Sequence, residues 1–399
     1  MRYKSMLSAR GVTLLMFFIS IPFSYSQAKV LEIEGVIKDE FDYPIPYVAI
    51  NVKGTYIGTS STEEGTFYLA LSAENLASTL SVSSLGYEST TISVKDFLAL
   101  ENKVIVLKEN VTTLSEIQIK SPDYYVKESL KRLKSNTISD THLLKLLYRR
   151  ASIEDGTAKF LVEHYMKVLD KGPSTSTVKK IEVAEGRKSA DYRIAKDKQH
   201  SHAINYMVNH NPLRRGFAIK DFNWKKTGDT NYDGEDVLII EGRKGKHNFR
   251  RFYIGIDTYR IYKVETSVSN AVFIYKKNKE GKLYLSYHNR AWNKPREQKL
   301  EEHTRKIMGK NAPESVMVAF RQEVYVLGLE TDKKNMNIKA FGGIGSDMGD
   351  VKVRYNPNFW RNFSMPPDTK FFKKIKKELK DNFGVPLETQ FQFASKTLK

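Results

Sequence analysis

Three histidines lie close together in the sequence, at His200, His202 and His210. Two histidines that alternate along an extended segment place both imidazoles on one face, and a third nearby could complete the ligand set of a metal ion. The segment lacks the helical His-x-x-x-His spacing that would fix such a site. We therefore expect a solvated loop here, with metal binding as the alternative.

A glycine-rich segment at residues 342–349 looks at first sight like a phosphate-binding loop. It lacks the Lys-Ser/Thr ending of a P-loop, and its last glycine comes one place too late for the dinucleotide fingerprint. Ser346 is not the nucleophile of a Gly-x-Ser-x-Gly elbow, because Ile344 stands where the first glycine is needed. A flexible loop is the interpretation that this pattern favours.

Four carboxylates surround Gly234 and could bind calcium: Asp229, Asp233, Glu235 and Asp236. Their spacing is not that of the twelve-residue calcium loop. A hairpin turn explains the cluster with fewer assumptions. The sequence thus offers no complete catalytic or metal motif, and we predict no catalytic residue, no cofactor and no metal ligand.

Composition and charge limit the class of protein. The chain has 399 residues, of which 40% are hydrophobic, no cysteine and a formal net charge of +19. Residues 28–120 carry seven lysines against thirteen acidic residues, a local net charge of −6, whereas residues from 121 onward have a net charge of +22. An acidic N-terminal part followed by a basic body indicates an anionic partner for the body.

The first residues have the pattern of an export signal. Arg2, Lys4 and Arg10 precede an apolar run from Val12 to Phe23, and small residues follow up to Ser26. We predict a signal peptide at residues 1–26, because the apolar run is well short of the roughly 20 residues that span a bilayer. An uncleaved anchor is the alternative. Without cysteine the chain can carry neither a lipoprotein anchor nor a disulfide.

Export narrows the choice of partner. Nucleic acid is a poor candidate in that compartment, and we expect no nucleic-acid partner. Anionic lipid, lipopolysaccharide or an acidic envelope protein fits the basic body better. We expect the protein in the periplasm or at the periplasmic face of the outer membrane. The oligomeric state is left open.

Residues 28–109 have the pattern of a small antiparallel sandwich. Short alternating apolar runs are separated by turn residues, as in Val48-Ala49-Ile50-Asn51-Val52. Asp42 stands where the chain must reverse, and Pro44 and Pro46 hold the following segment extended.

The motif residues of this segment resemble the carboxypeptidase-regulatory-like domain, which is common at the N-termini of exported Bacteroidetes proteins. The resemblance rests on these residues: Asp39, Pro44, Gly54, Gly58, Gly65, Phe67, Gly86 and Tyr87. It implies a transthyretin-like (prealbumin-like) β-sandwich with an accessory, non-catalytic role. Asp42 and Thr62 depart from the family pattern, which has Gly and Asp there.

The family name suggests a peptidase, but the sequence excludes the zinc carboxypeptidase type. Those enzymes bind zinc through a His-x-x-Glu pair and a distant histidine. None of the eight histidines of this chain is followed by glutamate three places on.

The middle of the chain predicts a second, larger β domain. Residues 110–140 form a linker with one helix from Tyr124 to Leu133, and residues 141–345 hold long β-like runs. We predict a two-residue reversal at Asp257-Thr258. The section from Ile239 to Val264 resembles hairpins of the periplasmic lipoprotein-localisation carriers, which implies a curved antiparallel sheet around a hydrophobic cavity.

The C-terminal segment, residues 346–399, contains a basic helix from Thr369 to about Asn382 and resembles the ending of other exported Bacteroidetes proteins. Its candidate contacts with an anionic partner are Lys370, Lys373, Lys374 and Lys377. One hypothesis is that the helix lies on a membrane or an acidic partner. The other is that its apolar stripe docks on the body of the protein.

The prediction as a whole is a mainly β protein: a transthyretin-like sandwich followed by a larger curved antiparallel sheet with a few helices. The function that this favours is a non-catalytic envelope interaction or scaffold protein, in which the sandwich edges and the basic body contact partners. The first alternative is a periplasmic lipid or lipoprotein carrier that uses the concave face of the sheet. The second is an enzyme of a class that the sequence does not identify.

Overall fold

The structure is a computed structural model that describes residues 30–110, 120–173, 175–195, 203–292, 294–339 and 346–396. The predicted signal peptide (1–26), His200, His202 and Gly342–Gly345 lie outside the described residues. The fold is mainly β, as predicted.

The N-terminal part is a sandwich of two small sheets. One sheet has the order β4-β1-β7 and the other the order β3-β2-β5-β6. Strand β1 pairs antiparallel with β4 and parallel with β7. The strands and the helix of this part are β1 (Val30–Asp39), β2 (Ala49–Val52), β3 (Gly58–Ser60), β4 (Thr66–Ser72), β5 (Thr79–Ser83), β6 (Thr90–Ser93), α1 (Val94–Ala99) and β7 (Val104–Leu107).

The sandwich core follows from the period-2 alternation of its strands. Ile33 and Ile37 of β1 are fully buried, and Phe67 of β4 packs against Phe97 with ring centroids 5.7 Å apart. This core is separate from those of the rest of the chain. The predicted sandwich is therefore confirmed in its architecture.

The body of the protein is one large antiparallel sheet. Among the described residues its order is β10-β9-β8-β18-β16-β15-β14-β13-β12-β11, with β17 paired to β18. The strands are β8 (His142–Glu154), β9 (Thr157–Asp170), β10 (Lys180–Lys188), β11 (Asn223–Tyr232), β12 (Glu235–Lys244), β13 (Asn248–Gly255), β14 (Ile261–Thr266), β15 (Ala271–Lys277), β16 (Leu283–Ala291), β17 (Arg296–Lys299) and β18 (Ser315–Glu330).

Helices cover both faces of this sheet. They are α2 (Pro122–Lys131), α3 (Leu133–Asn136), α4 (Tyr206–Asn209), α5 (Pro212–Arg215), α6 (Glu302–Met308), α7 (Pro357–Asn362), α8 (Lys370–Asp381) and α9 (Leu387–Lys396). On one face, residues of α2 to α5 pack into the largest core; Val126, Met207 and Val208 are almost fully buried there. That face is thus filled by the protein's own side chains.

The opposite face carries the sandwich and the C-terminal helices. Tyr47 of the sandwich stacks on Tyr287 of β16, with ring centroids 4.3 Å apart. Phe372, Ile375 and Leu379 of α8 are buried against β8 and β9. The sheet is therefore the common support of the two outer parts.

A local prediction at the reversal between two strands differs from the structure. The reversal at Asp257-Thr258 is longer than two residues, because β13 ends at Gly255, β14 begins at Ile261, and Tyr259 adopts a positive φ of 56°.

Candidate anion-binding surface

The motif residues of the sandwich shape its turns. The Oδ1 atom of Asp39 accepts hydrogen bonds from the backbone nitrogens of Phe41 and Tyr43, at 2.9 and 2.8 Å. Asp42 lies in this turn with a φ of 68°, so the aspartate that replaces the family's glycine adopts the left-handed conformation. Pro44 follows and forms an isolated antiparallel β-bridge with Lys38.

The glycines of the motif are required by turns and by close backbone contacts. Gly65 has a φ of 72°, and a Cβ there would lie 2.5 Å from the carbonyl oxygen of Ile37. A Cβ at Gly58 would lie 2.3 Å from Oδ1 of Asn51. Gly54 also has a positive φ. Each of these residues has a structural role.

The end of the motif contacts the large sheet. The backbone nitrogen of Gly86 donates to the carbonyl oxygen of Asn231 at 2.7 Å, and Tyr87 lines a cavity between the sandwich and the sheet. These two residues therefore join the sandwich to the body.

The basic helix α8 begins and ends close to the predicted limits. Thr369 caps its N-terminus by accepting from the backbone nitrogen of Phe372 at 3.4 Å, and Asn382 is its C-cap. Its apolar residues recur at helical spacing and face the sheet. The apolar side of α8 therefore docks on the body of the protein, as the second hypothesis predicted.

A buried ion network fixes α8 to the sheet. Glu163 of β9 is fully buried and accepts from Nε of Arg149 at 3.1 Å and Nε of Arg187 at 2.6 Å, and Nζ of Lys376 lies 3.3 Å from it. Lys376 also donates to Asp368 at 2.7 Å, and Arg149 donates to the same carboxylate. The network therefore joins β8, β9, β10 and α8.

The charges of the network set the ionisation of Glu163. Burial by itself would raise the pKa of this carboxyl, but the cations of Arg187, Lys376 and Arg149 hold it well below its usual range. The Arg149 guanidinium also lies 4.2 Å from the ring centre of Phe372 on α8. Glu163 is thus ionised at neutral pH and bound to three cations.

The sandwich contacts the start of the same helix. Glu64 accepts from the backbone nitrogen of Lys370 at 2.5 Å. Its neighbour Glu63 forms a two-bond ion pair with Arg321 of β18, at 2.9 and 2.6 Å. Three parts of the molecule, namely the sandwich, the sheet and α8, therefore meet at one place.

The outward side of α8 is basic. Lys376 is the lysine that turns inward, and the side chains of Lys374 and Lys377 are 70% and 79% exposed, each with an acidic partner on the helix. We call the exposed lysines of α8 the basic face: Lys370, Lys373, Lys374, Lys377 and Lys380. The structure places all four predicted contact lysines in this face.

The other candidate groups are held by internal partners. Asp229 pairs with Lys226 at 2.7 Å and Asp233 with Lys277 at 3.0 Å, while Glu235 accepts from Tyr262. Gly234 forms the turn between β11 and β12 with a φ of 77°. The acidic cluster is thus the hairpin turn that the simpler hypothesis predicted. No group of three metal-ligating side chains occurs in the described residues.

The histidine cluster and the glycine-rich segment each have only some of their residues in the described part of the chain. His210 is half-buried, and its pKa is lowered to about 4 by burial and by Arg290 and Arg215. From the glycine-rich loop, Asp347 accepts from Nη1 of buried Arg150 and from the nitrogen of Gly349, both at 2.6 Å. This carboxylate anchors its end of the loop to β8.

Sequence reasoning missed the network around Glu163. The available signal is the presence of charged residues within otherwise apolar strands, Arg149-Arg150 in β8 and Glu163 in β9. Such residues indicate buried ion pairs, because an unpaired buried charge is very costly. Their partners could not be found in this way, since Asp368 and Lys376 are some 200 residues distant in the chain.

One family model matches this chain. Residues 33–119 match the CarboxypepD_reg-like domain, which confirms the predicted resemblance of the N-terminal sandwich. The large sheet and the C-terminal helices lie outside the match. The curated proteins that were searched contain no match to this sequence.

Several solved structures match part of this chain at low identity. An outer membrane lipoprotein-sorting protein domain from Vibrio parahaemolyticus has 10% identity over 54% of this chain and 96% of that chain, with a TM-score of 0.25. A LolA superfamily protein from Nitrosomonas europaea has 15% identity over 53% and 97%, with a TM-score of 0.24. The MucA/MucB complex from Pseudomonas aeruginosa gives 10% identity over 51% and 98%, with a TM-score of 0.18.

Within the described residues, no helix has both the length and the apolar character needed to cross a membrane.

Proposed function

We propose that the protein is a non-catalytic interaction protein of the cell envelope, and that it binds an anionic lipid surface through the basic face of α8. The observation that carries this proposal is the basic face itself: five exposed lysines on one side of a helix whose other side is buried. The predicted export signal supports a location where such surfaces occur.

The anchoring of the helix favours binding. Since Phe372 and Lys376 are already fixed in the body, α8 does not have to fold when a partner binds, and that ordering cost is avoided. Lysines near an anionic bilayer each contribute about 1 kcal/mol. The net charge of +22 from residue 121 onward adds a longer-range attraction.

The sandwich has an accessory role in this proposal. Its contact with the start of α8 through Glu64 supports the helix, and its outer strands β6 and β7 lie at the edges of their sheets. Such edges can pair with an extended segment of a partner protein. The sandwich would thus bind a partner protein, while the basic face binds the anionic lipid surface.

Co-sedimentation with vesicles tests the proposal. Residues 27–399, the form expected after signal cleavage, are mixed with phosphatidylcholine vesicles that contain or lack phosphatidylglycerol. We expect binding to the anionic vesicles only, and its loss at about half-molar salt, where charges are screened beyond a few ångströms. The variant K370Q/K373Q/K374Q/K377Q should bind at least about a hundredfold more weakly.

A matched variant separates the basic face from net charge. K53Q/K95Q/K108Q/K127Q removes four exposed lysines elsewhere and makes the same change in charge. It should retain most of the binding. Equal losses in the two variants, or no binding to anionic vesicles at low salt, would overturn the proposal. Binding to an acidic envelope protein but not to vesicles would replace the lipid surface with that partner.

The carrier alternative has less support from the described residues. The sheet face under α2 to α5 is filled by buried side chains such as Tyr148, Met207 and Phe252. An acyl chain could enter only if these helices moved away from the sheet. A carrier therefore predicts a lipid-sized mass bound to the purified protein, which native mass spectrometry would detect.

A further inference from the structure

A partly enclosed cavity of about 240 Å³ lies between the sandwich and the large sheet. The sandwich wall includes Pro46, Tyr47 and Leu85 and has no charged side chain. The sheet wall comes from β11, β14, β15 and β16 and includes Ile274 and Lys276. The cavity is thus lined largely by apolar and aromatic side chains, with two lysines, Lys263 and Lys276, in the sheet wall.

Lys276 is unusual among the lysines of this region. It is only 2% exposed, and in the described residues its Nζ atom has no hydrogen-bond or ion-pair partner. The centre of the Tyr284 ring lies 5.5 Å from this atom. Lys277, the next residue, pairs with Asp233 at 3.0 Å, and Lys263 pairs with Glu265 at 2.6 Å. Burial therefore removes water from the amine of Lys276, and no carboxylate of the described residues takes its place.

The surroundings leave Lys276 as the group that titrates near neutrality. Burial lowers its pKa to about 7. Burial also raises the pKa values of Tyr47, Tyr87, Tyr232, Tyr262, Tyr275 and Tyr284, which face the cavity or the lysine. Lys263 is held by Glu265, and the Glu235 carboxylate by Tyr262.

We propose that this cavity binds a small carboxylate with an apolar body. The carboxylate would lie against Nζ of Lys276, and the apolar part against Pro46, Ile274 and the tyrosine rings. A negative charge from the ligand supplies the counter-ion that the protein lacks, because an amine buried with a carboxylate is far less costly than one buried alone.

The size of the cavity limits the ligand. Pockets for drug-sized ligands span about 300 to 1,000 Å³, so 240 Å³ suits a smaller molecule. A water molecule occupies about 30 Å³ in the liquid, and the cavity therefore corresponds to roughly eight waters. A medium-chain or aryl carboxylate has that scale, whereas a diacyl lipid does not.

Proton uptake gives the proposal a specific signature. Well above the pKa of Lys276 the free protein holds a neutral amine, and a bound carboxylate favours its protonation. Binding at pH 8.5 should therefore take up about one proton, and the affinity should fall about tenfold per pH unit above neutrality. Binding at pH 6 should take up almost none, since the amine is already charged.

Isothermal titration calorimetry with octanoate tests the site in residues 27–399. Titrations in buffers of different ionisation enthalpy measure the proton uptake. We expect the variant K276M to bind octanoate at least tenfold more weakly and without proton uptake, while still binding 1-octanol. K277M is the matched control, because Lys277 is the adjacent residue and already has Asp233 as a partner; it should change the affinity less than twofold.

Several outcomes would overturn the proposal. These are the absence of octanoate binding to the parent chain, equal affinities for octanoate and 1-octanol, or unchanged octanoate binding by K276M. Thermal unfolding of K276M verifies its fold, and we expect no loss of stability since methionine needs no counter-ion. The site is independent of the basic face: K276M should bind vesicles normally, and the α8 lysine variant should bind octanoate normally.

Discussion

At the residue scale, Glu163 is a carboxylate whose ionisation and position depend on its cationic neighbours. It is fully buried and contacts Arg149, Arg187 and Lys376. Removal of one partner from such a group leaves the remaining charges buried and unpaired, which typically costs about 3 to 5 kcal/mol. Its role is therefore to hold the cations that join α8 to β8 and β10.

The substitution E163Q should lower the free energy of unfolding by about 3 to 5 kcal/mol at pH 7. The folded-state pKa of Glu163 is depressed, so its contribution is present above the pKa of the unfolded chain, about 4.3, and is lost as the pH falls towards the folded value. Urea unfolding between pH 7 and 3 measures this. E302Q on exposed α6 is the control and should change stability by less than about 0.5 kcal/mol. A constant gap between E163Q and the parent chain down to pH 3 would contradict the assignment.

Two buried histidines predict a second pH effect in a higher range. Burial lowers the pKa of His288 to about 3 and that of His164 to about 4, and each ring contacts a backbone carbonyl oxygen, at 3.0 and 2.8 Å. Below about pH 6.5 the unfolded chain binds protons that the folded chain does not, so stability falls with falling pH. H288Q should reduce the slope between pH 6 and 4.5 by about 1.4 kcal/mol per pH unit. An unchanged slope in urea unfolding would show that His288 is protonated in the folded chain.

At the element scale, α8 combines two roles on two sides. Its inner side contributes Phe372, Ile375 and Leu379 to a buried cluster, and its outer side is the basic face. The amphipathic spacing predicts an apolar and a basic side, but it does not show which side makes contacts. The structure shows the inner contact, and the outer one is the subject of the proposed function.

Substitutions on the inner side of α8 should change stability far more than substitutions on its outer side. F372A should destabilise the chain by about 3 to 5 kcal/mol, because it removes a fully buried ring and the contact with Arg149. K373Q should stay within about 0.5 kcal/mol. Hydrogen exchange should show faster exchange in residues 370–381 of F372A while β12 and β13 keep their protection. Unchanged protection of α8 would mean that the apolar side does not anchor it.

At the scale of the whole molecule, the features that could be predicted from the sequence are those that depend on residues close together in the chain. The sandwich could be predicted because turn residues such as Asp39 and Gly65 act within a few positions, and helix α8 because its period is local. The network of Glu163 with Lys376 and the cavity at Lys276 could not, since both depend on segments that are distant in the sequence.

At Tyr47, where the sandwich meets the sheet, we expect glycine to be a more stable replacement than alanine. This residue has a φ of 59°, a conformation that costs a bulky residue about 1 to 2 kcal/mol, and its ring stacks on Tyr287. Y47A loses the stack and keeps the strain, whereas Y47G loses the stack and relieves the strain. We therefore expect Y47G to be more stable than Y47A by about 1 kcal/mol in urea unfolding, the reverse of the usual order. The exposed Tyr43 lacks a positive φ, so Y43G should be no more stable than Y43A. If alanine were also the better residue at position 47, the strained joint would not be part of the folded protein, and the cavity beside it would have to be built differently.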